Sequence, residues 1–322
     1  MNRLLISLLR RFAAAFALIA AGPVLAAQPL IAPAELAARL GDSSLRIIDI
    51  RNGNSATSPF RLAHIAGAQH APYVQWRGPK DSPGKLPSTE ALTTLIQRLG
   101  IDRTTPVVVV YAGEDSTDFG SAARVYWTLK AAGVPMLSVL NGGMTAWRAA
   151  GLPVVAGSAT AAVQPLSKFD LRLDPRLIAT RDEVAQAVGN GSTQLLDARP
   201  VAFFAGETRH PAAKTPGTIV GAKNVSHEVW FTPDAVLLPP ADIRRVAQQS
   251  GIRTDQPTIS FCNTGHWAAT NWFVLSELLG QDNVKLYPES VVDWSNAGLA
   301  MDNVPGRLQQ FWLQLKVASG AP

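Results

Sequence analysis

The chain has 322 residues, of which 47% are hydrophobic and 16% charged, with 29 lysines and arginines against 24 acidic residues. This length exceeds the usual size of one compact core, so two globular domains are expected. Beyond the leader, basic residues do not cluster among aromatic ones, which argues against a nucleic-acid-binding protein.

Residues 1–26 have the composition of a signal peptide. Arg3, Arg10 and Arg11 precede an apolar run, and small residues around Ala26 provide an export-type cleavage site. The run is shorter than the roughly 20 apolar residues that span a bilayer core. We therefore expect cleavage, a periplasmic or secreted location, and contact with the membrane only through the export signal. Removal of the leader lowers the formal net charge from +5 to +2.

The chain contains a single cysteine, Cys262. Exported proteins enter an oxidising compartment, where cysteines usually occur in even numbers locked in disulfides. One cysteine cannot pair within the chain, so it is a buried small hydrophobe, a partner in an intermolecular disulfide, or a reactive thiol. The count alone leaves these three interpretations open.

An internal repeat divides the chain into two halves that are offset by about 150 residues. The repeat predicts an N-terminal domain at residues 27–157, a linker at 158–175 that is rich in Ala, Ser, Thr and Pro, and a C-terminal domain at 176–322. Like elements recur in the same order: 45–51 and 194–199, which both end in Asp-x-Arg; 64–68 and 218–222; 106–111 and 257–261; and 147–152 and 294–299.

Apolar runs alternate with segments of helical character in both halves. Continuous apolar strands that alternate with helices are typical of a mostly parallel sheet covered by helices on both faces. Each half is therefore predicted to be a small α/β domain. The predicted helices are 32–40, 89–99, 120–132, 180–188, 240–250 and 268–279.

Cys262 follows the predicted strand 258–261 and opens a loop that leads into the predicted helix 268–279. In this position loop amides and the amino end of the helix can converge on the sulfur and favour a thiolate over a thiol, whose free pKa is about 8.5. Gly265 would allow the positive φ that such a cradle of amides needs. The same donors would stabilise the anions of a sulfur donor and of a persulfide.

Together these motifs resemble the rhodanese family of sulfurtransferases, in the tandem form of the thiosulfate/3-mercaptopyruvate type, over the whole mature chain. The similarity rests on the two Asp-x-Arg strand ends, on His64–Ala68, on Leu140–Gly143 with Ala146-Trp147, and on the Cys262 loop. The resemblance implies two tandem rhodanese-like domains, each an α/β unit, with the catalytic cysteine in the second. Ala112 is the residue that matches the cysteine in the first half, so that half is expected to be inactive.

The resemblance implies a reaction in two steps. Cys262 takes the outer sulfur of a donor such as thiosulfate, carries it as a persulfide, and passes it to a thiophilic acceptor such as cyanide, a small thiol or a protein thiol. No cofactor is implied, and the histidines lack metal-ligand spacing, so no metal is expected. The loop 263–267 matches neither the basic loops of thiosulfate-preferring members nor the Gly-Ser/Thr-Gly-Val-Thr run of mercaptopyruvate-preferring members, which leaves 3-mercaptopyruvate as an alternative donor.

The predicted substrate-binding residues surround this cysteine. His266 could offer a positive charge to the donor, in a pH-dependent way because its ordinary pKa is about 6.5, or could be a merely exposed loop residue. Trp267 either lines the pocket or anchors the helix in the interdomain core. Arg199 could face the donor anion or pair with Asp197. The full set is Asn263, Thr264, Gly265, His266, Trp267 and Arg199.

Three other functions compete with this interpretation. A cysteine phosphatase or a related arsenate reductase needs an arginine at the sixth position after the cysteine, where this chain has Ala268. A persulfide carrier or binding module would need no turnover with small donors. A purely structural Cys262 would react slowly with alkylating reagents.

Overall fold

The computed structural model describes residues 28–158 and 166–306; the predicted signal peptide lies outside them, as do residues 159–165 of the predicted linker. None of the helices in these two ranges has both the length and the apolar character needed to cross a membrane. The strands are β1 Leu30–Ile31, β2 Arg46–Asp49, β3 Gln69–His70, β4 Val107–Val110, β5 Leu137–Leu140, β6 Gln194–Asp197, β7 Thr218–Ile219, β8 Lys223–Asn224, β9 Thr258–Phe261, β10 Val284–Leu286 and β11 Met301–Asp302. The helices are α1 Pro33–Ala38, α2 Pro59–Leu62, α3 Thr89–Arg98, α4 Ser116–Ala131, α5 Gly143–Ala149, α6 Arg181–Asn190, α7 Val201–Phe204, α8 Pro240–Gln249, α9 Trp267–Phe273 and α10 Ser290–Asn296.

Each half folds around a parallel sheet, which confirms the predicted α/β class. The first sheet has the order β1-β5-β4-β2-β3 and the second the order β10-β9-β6-β8, while β11 and β7 form a separate antiparallel pair. Strands β4 and β9 occupy equivalent interior places and are buried along their whole length. Strands buried on both faces need continuous apolar side chains, which explains the Val107–Val110 run.

A buried ion pair ends the strand next to the central one in each half. The Arg51 guanidinium forms a two-pronged pair with Asp49 and donates to the carbonyl of Ala63 at 2.7 Å. Arg199 repeats this arrangement with Asp197 and with the carbonyl of Gly217. The Asp-x-Arg repeat therefore has a physical basis, because it ties the strand end to the loop that precedes the next strand.

The two helices that follow the central strands begin earlier than the sequence predicts. Helix α4 starts at Ser116 instead of residue 120, because the Asp115 carboxylate caps it by accepting from the Asp118 amide at 2.8 Å. Helix α9 starts at Trp267 and continues beyond Phe273 as a π-helical turn, Val274–Leu278. The predicted helix 268–279 is thus one continuous element with a change of pitch.

The described part of the linker lies along the first domain. Gln97 on α3 accepts from the Ser167 amide through its carbonyl and donates to the Phe169 carbonyl through its side chain. Trp127 on α4 donates to the Leu177 carbonyl at 3.1 Å. Because Phe169 is also buried, this segment is part of the first domain's packing.

Helices α4 and α9 pack against each other and join the two halves. Phe273 contacts the rings of Phe119 and Tyr126 with centroids 5.4 and 5.0 Å away. Glu277 accepts hydrogen bonds from the Tyr126 hydroxyl and from Lys130, each at 2.6 Å. One hydrophobic cluster includes buried residues of both halves. The loops that precede α4 and α9 therefore meet at the domain interface.

Candidate active site

Cys262 lies at the carboxyl end of the central strand β9, where the loop to α9 begins. The residue is buried, with 1% of its surface exposed, and it forms no disulfide. The Cys262 amide donates to the Ser290 hydroxyl at 3.0 Å, and its carbonyl accepts from the Val291 amide at 3.1 Å. Both backbone groups of the cysteine are thus fixed by the start of α10.

Ser290, whose hydroxyl accepts from the Cys262 amide, has an unusual backbone conformation. Its φ is 56°, a region that residues other than glycine seldom adopt, and its side chain is fully buried. Its hydroxyl donates to the Tyr287 carbonyl at 2.7 Å while it accepts from Cys262. Gly143 holds the equivalent place in the first half, with a φ of 59°. The second half therefore keeps a strained conformation and gains a hydroxyl beneath the cysteine.

The residue that matches Cys262 in the first half is Tyr111, and the predicted match with Ala112 is wrong by one position. Asp49 pairs with Val110 in the first sheet, as Asp197 pairs with Phe261 in the second. The Tyr111 carbonyl also accepts from the Met144 amide, as the Cys262 carbonyl accepts from Val291. The match of Tyr111 with Cys262 follows from the pairing of the strands in each sheet. The two loops differ in sequence, so their residues alone do not show it.

Arg199 is buried within the domain and forms the structural pair with Asp197 that the sequence left open, while a contact of Arg199 with the donor stays a prediction. Only 1% of its surface is exposed, and its guanidinium is occupied by the Asp197 carboxylate and the Gly217 carbonyl. Its remaining nitrogen, Nη1, donates to the side-chain oxygen of Asn263 at 3.2 Å. The pair with Asp197 is therefore observed. Arg199 also holds Asn263, the second residue of the cysteine loop.

Two arginines of the first domain hold the middle of the cysteine loop. Arg77 donates to the Thr264 carbonyl at 2.8 Å, and Arg124 on α4 donates to the Gly265 carbonyl at 3.0 Å. Gly265 has a φ of 69°, and a Cβ atom there would lie 2.3 Å from Arg124 Nη1. The glycine thus permits both the left-handed turn and the close approach of a charge from the other domain.

His266 ends the loop in an interdomain hydrogen-bond chain. Its Nε2 lies 2.8 Å from the Thr117 carbonyl and therefore carries the proton, so its Nδ1 accepts from the Tyr73 hydroxyl at 2.9 Å. Arg77 donates to the same hydroxyl. Burial, with a smaller contribution from the Arg77 charge, lowers the pKa of His266 to about 3. With this lowered pKa the ring is neutral at physiological pH. A contact of His266 with the donor stays a prediction, and it would be a hydrogen bond, not a charge.

Trp267 begins α9 within an aromatic cluster at the interface. Its ring stacks on His227 with a centroid distance of 5.0 Å and contacts Phe203 edge to face at 5.7 Å. Its Nε1 lies 3.3 Å from the Thr117 hydroxyl of the first domain. These contacts match the anchoring role that the sequence left open. Substrate contacts by Trp267, Asn263, Thr264 and Gly265 stay predictions.

A cavity of about 490 Å³ opens beside the equivalent loop of the first domain. Tyr111, Ala112 and Tyr73 line it, together with His266 from the second domain. Because Cys262 is the chain's only cysteine, no thiol lines this cavity. The first domain thus has a cavity beside the loop that is equivalent to the cysteine loop. No thiol is present there to act as a nucleophile in sulfur transfer.

Four residues around Cys262 were not predicted from the sequence: Tyr73, Arg77, Arg124 and Ser290. Arg124 carried a signal, because it is the one charged residue in the apolar stretch 122–127 of its helix. Ser290 could have been found by aligning it with Gly143 in the Trp147 and Trp294 repeats. Tyr73 and Arg77 reach the site only through the packing of the domains, which no local pattern encodes.

Comparison with known proteins agrees with this geometry. The family model described as Rhodanese-like domain matches residues 32–150 and 180–297. The chain is 32% identical over 268 residues to the thiosulfate sulfurtransferase of Azotobacter vinelandii, covering 83% of this chain and 94% of that protein. It is 28% identical over 303 residues to thiosulfate/3-mercaptopyruvate sulfurtransferase 2 of Arabidopsis thaliana, covering 85% and 86%.

The fold is similar to that of the 3-mercaptopyruvate sulfotransferase SseA of Escherichia coli. The two share 26% sequence identity with a TM-score of 0.71, covering 82% of this chain and 98% of that one. The family matches span more than half of the chain, which therefore belongs to the rhodanese family. It is a sulfurtransferase with two rhodanese-like domains in tandem.

Replacement of Arg199 by methionine should reduce both stability and sulfur transfer. Loss of one partner of a buried ion pair costs about 3–5 kcal/mol. Arg51→Met is the matched control, because it breaks the equivalent pair in the first domain without touching Asn263. We expect similar losses of unfolding free energy in denaturant titrations, but at least a tenfold loss of turnover only for Arg199→Met. Equal turnover in the two variants would remove Arg199 from the support of the loop.

Stability should fall as the pH is lowered, in part through His266. Its folded pKa of about 3 lies below the ordinary value of 6.5, so between these pH values the unfolded chain binds one proton more. This linkage weakens the folded state by up to roughly 1.4 kcal/mol per pH unit. Thermal unfolding between pH 7.5 and 5 should show a shallower decrease of Tm for His266→Gln than for the parent. Parallel curves would contradict the neutral His266.

Proposed function

We propose that the mature chain transfers the outer sulfur of thiosulfate to a thiophilic acceptor through a persulfide on Cys262. The observation that carries this proposal is the placement of the chain's only thiol. It lies at the end of the central strand of the second domain, in a loop that Arg77 and Arg124 of the first domain hold by its carbonyls. A merely structural cysteine would not require a strained Ser290 and two arginines around it.

In the first step the Cys262 thiolate attacks the outer sulfur of thiosulfate. A bond forms between Sγ and that sulfur, the sulfur–sulfur bond of thiosulfate breaks, and sulfite leaves with the electron pair. The cysteine then carries a persulfide anion. The Ser290 hydroxyl and the Val291 amide hold the cysteine backbone during this exchange, which keeps Sγ at one position relative to the donor.

In the second step the acceptor attacks the outer sulfur of the persulfide. Cyanide leaves as thiocyanate, and a thiolate leaves as its own persulfide, while the electron pair returns to the Cys262 sulfur. No redox cofactor is needed, because each step exchanges one sulfur between nucleophiles. The acceptor class includes small thiols and the thiol of a partner protein.

Thiosulfate is proposed as the donor because the curated relative that is 32% identical bears that name. A second donor, 3-mercaptopyruvate, is supported by the structural similarity to the Escherichia coli protein and by the name of the Arabidopsis relative. Both donors are anions that carry a transferable sulfur. The same Cys262 chemistry serves either donor.

Intact mass spectrometry of the purified mature protein tests the persulfide. Incubation with thiosulfate should add about 32 Da, one sulfur atom, and cyanide should then remove it with release of thiocyanate. Cys262→Ser should fold and show no gain. A gain with 3-mercaptopyruvate alone would change the donor, and no gain with either donor would contradict the proposal in favour of a carrier or structural role.

We also propose that residues 1–26 direct export to the periplasm or the exterior. The basic start, the apolar run and the small residues before Ala27 support this. Expression of the full chain in a bacterial host should release a protein whose mass corresponds to a start at Ala27. Ala26→Arg should block cleavage, because the site requires a small residue. Retention of the uncleaved chain in the cytosol would refute export.

A further inference from the structure

Four arginines lie near the interface of the two domains, and they differ in how their charge is balanced. Arg51 and Arg199 are each paired with an aspartate. Within residues 28–158 and 166–306, no carboxylate lies within salt-bridge distance of Arg77 or Arg124. Glu289 acts on Arg124 only from farther away and pairs with Lys85 at 3.8 Å. Two positive charges at the cysteine loop therefore lack a permanent partner.

Of these two charges, that of Arg124 has the larger desolvation cost, because Arg124 is the more deeply buried. It is fully buried, its two terminal nitrogens donate to the carbonyls of Gly265 and Gly84, and its Nε has no hydrogen-bond partner among the described residues. Burial lowers its pKa to about 9, so it is still a cation at neutral pH. A thiolate at Cys262 lies close enough to favour that charged form. Burying an unbalanced charge costs free energy, and an anionic ligand or intermediate would offset that cost.

Arg77 is the less buried of the two cations. It is partly buried, and within residues 28–158 and 166–306 only two of its five N–H groups find acceptors, the Tyr73 hydroxyl and the Thr264 carbonyl. Its planar guanidinium can still donate to a sulfonate or a carboxylate. His266, in the same hydrogen-bond chain, is neutral and adds no charge of its own.

We infer that Arg77 and Arg124 of the first domain form the anion subsite of the Cys262 centre, in which Arg77 binds the sulfonate or carboxylate of the sulfur donor. Arg124 supplies a second, fully buried positive charge next to the cysteine loop. The inference rests on the proposed function, since thiosulfate, sulfite and the persulfide are all anions. The first domain, which has no cysteine, thereby contributes the two positive charges of the active centre. The cysteine loop needs no basic residue of its own.

Alkylation of Cys262 by an anionic and a neutral reagent tests this subsite. Iodoacetate and iodoacetamide consume the same thiolate, so the ratio of their rate constants reports the local potential and not the thiolate fraction. Arg77→Met should lower the iodoacetate to iodoacetamide ratio by about fivefold or more, whereas Arg77→Lys should keep it near the parent value. Arg98→Met, a change of equal charge on the exposed surface of the same domain, should leave the ratio unchanged.

Two further measurements keep the test decisive. In the unmodified protein, the same ratio should fall as salt is added, because salt screens the attraction for iodoacetate alone. In Arg77→Met, the KM for thiosulfate should rise at least fivefold while the rate of the cyanide step changes little. An unchanged ratio in Arg77→Met, or no salt dependence, would overturn the subsite. A lowered ratio in a protein that forms no persulfide would uphold the subsite and refute the proposed function.

Discussion

The hydrogen bonds from Arg77 and Arg124 to the carbonyls of Thr264 and Gly265 connect the two domains at the point where the chemistry takes place. They require α4 and α9 to pack closely, so the aromatic contacts around Phe273 are a condition for the site. Because the donated charge comes from another domain, the cysteine loop itself needs no basic residue. This explains a loop that resembles neither of the basic or small-residue loops expected for its family.

The duplicated halves share a framework and differ in the groups that react. Both have the buried Asp-x-Arg pair, the parallel sheet and a helix that starts six residues after the end of the central strand. In the first half Tyr111 occupies the place of the cysteine and Gly143 that of Ser290. The first domain thus has neither the thiol nor the serine that supports it, while its helix α4 presents Arg124 to the second domain. The second domain therefore supplies the thiol, and the first domain supplies an arginine that holds the cysteine loop.

Much of this architecture could be predicted from sequence, because apolar strand runs and repeated motifs are local patterns. The α/β class, the tandem repeat and the loop-to-helix position of Cys262 follow from residues that are near one another in the chain. Tyr73 and Arg77 could not be found in this way, since they are close to the cysteine only after the domains pack. The neutral protonation state of His266 could not be predicted from the sequence either, because its pKa depends on burial and on Arg77 across the interface.

If both domains build one active centre around Cys262, a crystal structure of the protein after reaction with thiosulfate should reveal it. We expect one additional sulfur on Cys262 Sγ, facing Arg77 and the loop held by Arg124, and no modification beside Tyr111. An unmodified Cys262, or a persulfide directed away from both arginines, would contradict it.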